Sequence, residues 1–217
     1  MTMKRILWIG IILLIFVGGT GCAVPVREAV RVDMTAPVGT IEGKQFTGIR
    51  YPFKVTAPPG WKITTEFPKF MIDLGYEKEG LEESEVFLFN PETRSNLQID
   101  FTPAGLYETI DQKDREQWAT AMAGAMKDEL QQEYGKDLKV EFGPTERLSL
   151  KGVPIAAKKY ATCTHQGVKR EQGWIYAFAE PYYIFILYMI LEKDGGSDRE
   201  VLPAILNSFE YFPQKKK

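Results

Sequence analysis

Residues 182–191 (YYIFILYMIL) carry no charge at all, in a chain where a quarter of the residues are charged. The run is rich in aromatic and β-branched side chains. Glu180-Pro181 breaks the chain before it and Lys193-Asp-Gly-Gly-Ser197 ends it. Such a run is expected as a central strand buried on both faces, because an alternating one-faced strand would carry polar residues at every second position. Whatever else the chain builds must cover that strand.

The flanking sequence supplies partners. Residues 155–164 and 169–179 are expected as strands, joined through His165-Gln166-Gly167-Val168 as a hairpin. Earlier, 51–57 and 61–65 alternate around Pro58-Pro59-Gly60 and are expected as a strand–turn–strand unit, a hairpin or one closely similar. Residues 85–89 and 96–101 follow around an Asn90-Pro91-Glu92 turn, with Leu97, Ile99 and Phe101 inward. Between 66 and 84 Phe67, Phe70, Met71 and Leu74 have loose helical spacing. Shorter strands are expected at 138–142 and 146–150.

From 113 to 134 the period becomes helical, with Trp118, Met122, Ala125, Met126 and Leu130 as the inward stripe and Gly135 as the stop. The stripe is read as core packing rather than a ligand box. Ser197 with Glu200 fits a capping box. Val201, Leu202, Ile205, Leu206 and Phe209 supply a closing amphipathic helix, with Pro203 in its first turn. The fold class expected is α+β: an antiparallel β-sheet with helices packed on it.

The N-terminus has a separate character. Lys4 and Arg5 precede twelve apolar or glycine positions, 6–17, the pattern of a secretory signal. The run is short for a bilayer crossing, which takes about 20 apolar residues. The alternatives are an uncleaved N-terminal helix, against which Gly18, Gly19, Gly21 and Pro25 argue, and ordinary secretion. Thr20-Gly21-Cys22 then resembles the bacterial lipoprotein signal, cut before a cysteine that carries the lipid. Gly19 departs from it, where that family usually has leucine or another larger apolar residue. The resemblance implies signal peptide 1–21, lipidation of Cys22 with palmitate-class acyl chains, and a place in the bacterial cell envelope. Ala23, rather than aspartate, favours the outer membrane facing the periplasm where the host has two membranes; otherwise the outer face of the cytoplasmic membrane is implied. Residues 22–45, with Pro25, Pro37, Gly39 and Gly43, are expected as a flexible tether of at most about 80 Å. A single domain is expected over 46–213, with a basic tail at 214–217.

Phe53-Lys-Val-Thr-Ala-Pro-Pro-Gly-Trp61, the 96–101 strand, the long helix, Gly152 before a strand and Ser208-Phe209 in the closing helix occur in an order that resembles the PsbP-like proteins and the bacterial DcrB-like lipoproteins. The likeness spans about 46–212 and implies an α/β/α sandwich. It implies no chemistry, since such relatives include a photosystem extrinsic subunit, a Ran-binding protein and envelope lipoproteins, with no shared catalytic set.

The chemistry available is bounded by one histidine, His165, which excludes an HExxH metal site. Neither a Gly-x-Ser-x-Gly elbow nor a Walker loop nor a Gly-x-Gly-x-x-Gly is present, and no cofactor is indicated. Without residues 1–21 the chain carries 25 basic against 29 acidic side chains, a balance that argues against nucleic acid. The candidate constellation is Cys163 and His165, which share a strand face at i and i+2. Asp100 or Glu171 would have to complete a metal set. The pair also reads as an activated thiol, or as a buried cysteine beside a turn histidine. With Cys22 lipidated, Cys163 has no intramolecular partner. Asp73, Glu77, Glu79, Glu82, Glu83 and Glu85 read as a solvated acidic loop, or as a site for a cation or a basic partner. Lys158, Lys159, Lys169 and Arg170 read as a strand's polar face, or as an anion site.

The function expected is a non-enzymatic, lipid-anchored binding or assembly module with a membrane contact through its lipid and a protein partner in the envelope. The alternatives are a small-molecule or metal-binding lipoprotein using Cys163 and His165, and a hydrolase.

Overall fold

A computed structural model describes residues 30–73, 84–106, 110–192 and 198–212. The signal, Cys22, the tether up to residue 29, most of the acidic segment, Ser197 of the expected capping box and the basic tail lie outside these. The chain divides into two compact units. The elements below all belong to the unit formed by Val30–Ala104 and Ile110–Lys217.

Strand β11 (Tyr182–Glu192) is central, as its uncharged sequence requires. It pairs antiparallel with β10 (Val168–Ala179) on one side and β6 (Asn96–Pro103) on the other. Beyond β10 lies β9 (Ile155–His165), and beyond β6 lie β5 (Val86–Phe89) and β4 (Lys62–Thr64). Two-residue strands β7 (Glu141–Phe142) and β8 (Glu146–Arg147) both pair with β9 and complete an eight-stranded sheet. Gln166 and Gly167, both at positive φ, make the tight β9–β10 turn whose twist matches its strands. The Glu180–Pro181 peptide between β10 and β11 is cis.

After the one-turn helix α1 (Phe70–Asp73), helix α2 (Gln112–Tyr134) covers one face. Asp111 and Asp114 form a reciprocal capping box at its start, and Gly135 ends it. Ala119, Met126 and Leu130 pack on Ala157, Ala161 and Trp174. The helix is rotated from the expected stripe: Arg115 and Ala119 point inward, whereas Trp118 is 54% exposed and Met122 39%. Trp174 explains the rotation. Its indole fills the space beneath the helix and donates to the Ala119 carbonyl at 2.8 Å, so only small helix residues fit above it. Gln112 pins the same rotation, exchanging hydrogen bonds with the Ala156 backbone at 2.9 and 3.3 Å.

The opposite face is covered by a second sheet and the closing helix. Strands β1 (Gly39–Glu42), β2 (Gln45–Gly48), β3 (Phe53–Thr56) and β12 (Glu210–Tyr211) form this four-stranded antiparallel sheet. Together with α3 (Leu202–Ser208) it buries Phe46, Phe53, Val55, Leu202, Ile205 and Phe209 against Ile99, Ile175, Ile184 and Ile186. The expected antiparallel α+β body with helices on it is therefore present, with a second sheet that was not expected.

Three local expectations change. The 51–65 unit is not a hairpin: β3 and β4 belong to different sheets, and Pro58-Pro59-Gly60 carries the chain between them. Trp61 then fixes the crossing, its indole donating at 3.3 Å to buried Asp198, which also accepts from Asn90 at 3.1 Å and from the Thr93 hydroxyl. The tether cannot extend to residue 45, because 39–42 is strand and Val30, Val32 and Val38 already pack on the core. Gly152, expected simply to stand before a strand, is a point of close backbone approach. It sits at φ +78, and a β-carbon there would fall 2.0 Å from the Tyr211 carbonyl oxygen, where β12 passes close by.

Candidate functional site

Cys163 and His165 lie on the α2 face of β9, as the two-residue period requires. The two-residue turn fixes what stands opposite: Val168 pairs with His165 and Arg170 with Cys163. The sequence expectation grouped Arg170 with Lys158, Lys159 and Lys169, yet counting back from Gln166-Gly167 places it against the cysteine. The last turn of α2 closes over this group. The Tyr134 ring lies 5.1 Å from the imidazole. The Arg170 guanidinium stacks 4.4 Å from the Tyr134 ring and donates to its hydroxyl at 3.1 Å.

Cys163 is buried beneath this lid. Burial raises the thiol pKa, outweighing the pull of Arg170, and the same burial raises Tyr134. A thiol held protonated is the reverse of an activated nucleophile. The expected third ligands are elsewhere. Glu171 pairs with Thr162 and so faces the opposite side of the sheet from Cys163. There it accepts from the Tyr188 hydroxyl at 3.0 Å and pairs with Arg199 at 2.9 Å. Asp100 is on β6, two strands beyond β10, opposite Phe185. Among the described residues no group of three or more His, Cys, Asp or Glu is placed to hold a metal. An open cleft of about 490 Å³ between residues 137–141 and the β9–β10 edge is lined by Asp137, Glu141, Cys163 and Lys169, but not by His165.

The basic residues do not form one anion site. Lys158 and Lys169 share one sheet face and pair with Glu146 and Glu192 at 3.3 and 3.5 Å. Lys159, on the other face, donates to the Gly143 carbonyl at 3.0 Å.

Among the described residues of the acidic segment, Glu85 departs from a solvated loop, being 1% exposed. Its backbone N–H donates to Ile99, which sets its residue beside Asp100 at the edge of the β5–β6 ladder. Arg50 reaches it at 3.2 Å. Burial nevertheless outweighs the guanidinium and raises the carboxyl to about 7, with Asp100 acting in the same direction as burial.

What sequence reasoning missed most is the outer flank of α2. Trp118, Ala121, Met122 and Ala125 follow helical spacing along one exposed strip. The strip is braced: the Arg115 guanidinium lies 4.6 Å from the Trp118 ring and 4.9 Å from Tyr183, and the two rings stack at 6.5 Å. A sequence signal existed, since the helix has two apolar strips one residue apart and only one can face Trp174.

No family model matches the sequence, and no curated protein matches it. Among solved structures the chain is similar to the solution structure of cyanobacterial PsbP (CyanoP) from Synechocystis sp. PCC 6803, at 13% identity and a TM-score of 0.49, over 82% of this chain and 100% of that one.

Proposed function

We propose that this chain is a lipid-anchored protein of the bacterial cell envelope whose folded body is a non-enzymatic binding or assembly module. The N-terminal signal ending at Cys22 supports the anchor. The observation that carries the module is the α2 strip. Trp118 is exposed yet packed on Arg115 and Tyr183, with exposed Met122 one turn on, and burial of this strip against a partner would be favourable at about 25 cal/mol per Å². Aromatic anchors of this kind dominate binding energy at protein interfaces. The proposed partner is therefore a protein of the envelope with a complementary apolar groove.

A photocrosslinking amino acid at Met122 in intact cells tests this, with a second at Lys136 as control. A discrete crosslinked species from position 122, lost on Trp118→Ala, is the expected result. Equal, diffuse crosslinking from both positions would remove the strip as the binding surface. The metal-binding alternative is less well supported, because the third ligands it calls for stand elsewhere, Glu171 on the opposite face of the sheet and Asp100 two strands beyond β10.

A further inference from the structure

The described body begins at Val30, and its first nine residues are built rather than loose. One tight turn lies between Val32 and Val38. The Asp33 carboxylate accepts from the Thr35 N–H at 2.9 Å and from its hydroxyl at 2.6 Å, and the Asp33 carbonyl accepts from Ala36 at 3.1 Å. Arg50 clamps the turn from below, donating through Nη2 to the carbonyls of Met34 and Ala36 at 3.2 and 3.1 Å. The other arm of the guanidinium is held by buried Glu85. This arrangement leaves Met34 at the tip 58% exposed, and Ile49, next to Arg50, 47% exposed. Two large apolar residues are thus held through their backbone, with their side chains in water, at the corner where the chain enters the body.

Residues 23–29 alone separate that corner from Cys22. Even fully extended, the path from Cys22 to Val30 reaches about 28 Å at most. A tether this short keeps the corner close to whatever surface Cys22 is fixed in. We propose that Met34 and Ile49 form a membrane-contacting corner that seats in the boundary between headgroups and acyl chains of the bilayer. The inference rests on the lipid attachment proposed above. Apolar side chains near a bilayer are driven into that boundary by the area they bury, and the acyl anchor supplies the proximity that two side chains alone could not. Exposed Arg31 on the same segment adds a cation at headgroup level.

The test uses the full chain, lipidated in a bacterial host and reconstituted into vesicles of phosphatidylethanolamine and phosphatidylglycerol. Single cysteines at Met34, Ile49 and Lys136 carry an environment-sensitive fluorophore; the parent chain, whose remaining thiol is buried Cys163, sets the background. Emission at 34 and 49 is expected to fall when a nitroxide-labelled lipid is included, while emission at 136 is unchanged. Equal responses at all three positions in vesicle-bound protein would overturn the membrane-contacting corner while leaving the anchor intact. Failure of the anchor reads differently: the chain would not float with vesicles, and its mass would show an unmodified Cys22.

Discussion

Replacing Glu85 with glutamine should change how stability depends on pH, in a direction that follows from its burial. The carboxyl is raised from 4.5 to about 7 in the folded chain. Below pH 4.5 the folded and unfolded chains both hold the proton, and Glu85 adds no pH dependence. Between 4.5 and about 7 only the folded chain holds it, so stability falls as pH rises. Above that window the carboxylate is ionised in both states and the folded chain bears the full burial penalty. A difference of roughly 2.5 between the two pKa values, at about 1.4 kcal/mol each, gives about 3 kcal/mol lost between pH 4 and pH 8. Glutamine cannot ionise and can still accept from Arg50. Urea unfolding of both proteins at a series of pH values isolates the effect, because titrating groups remote from Glu85 cancel in the difference and Asp100 beside it is the carboxyl coupled to it. Wild type should lose about 3 kcal/mol relative to Glu85→Gln as pH rises. A flat difference would show that Glu85 is not desolvated. A difference of opposite slope would show that the Arg50 ion pair dominates after all.

Other outcomes follow from packing. Trp118→Ala should change stability by about 1 kcal/mol or less, mostly through its stacking on Arg115, whereas Trp174→Ala should lose about 3–5 kcal/mol; denaturant midpoints compare them directly. Gly173→Ala places a β-carbon 2.2 Å from the buried Tyr188 ring, whose hydroxyl is held by Glu171. It should lower stability by about 1–3 kcal/mol, partly recovered on thermal melting by adding Tyr188→Leu. Cys163 should react with a thiol reagent at neutral pH only slowly until the chain is denatured, since burial raises its pKa; rapid labelling of the folded protein would contradict the lid of Tyr134 and Arg170.

The features legible in the sequence were those set by neighbouring residues. Period two with Gln166-Gly167 placed β9 and β10 nearly to the residue, the uncharged run placed β11, and period 3.6 with Gly135 placed α2. Sheet membership is not local. Nothing in 53–64 tells β3 from a partner of β4, because that choice depends on β12 and β5, far away in sequence. The rotation of α2 was equally hidden, since both of its apolar strips satisfy the helical period and only Trp174 decides between them. Glu85 looked like the end of an acidic run because charge counts carry no information about register beside Asp100. At the candidate site, the shared face of Cys163 and His165 was readable, but the arrival of Tyr134 above them depends on how α2 crosses the sheet.

The four-stranded sheet joins distant parts of the chain. The Thr56 N–H is held by the Ser208 hydroxyl, 152 residues on, and β3 finds its second partner only in Glu210 and Tyr211. The consequence is one of timing. While the chain is being made or threaded, β3 has an open edge, and Phe53 and Val55 lack the cover that Phe209 and α3 provide. Pairing across such a separation is slow, because loop closure comes before any contact is gained. The body therefore cannot settle domain-end first from its N-terminus. It closes late, when residues 202–211 arrive, an order of events compatible with the export that the proposed anchor requires.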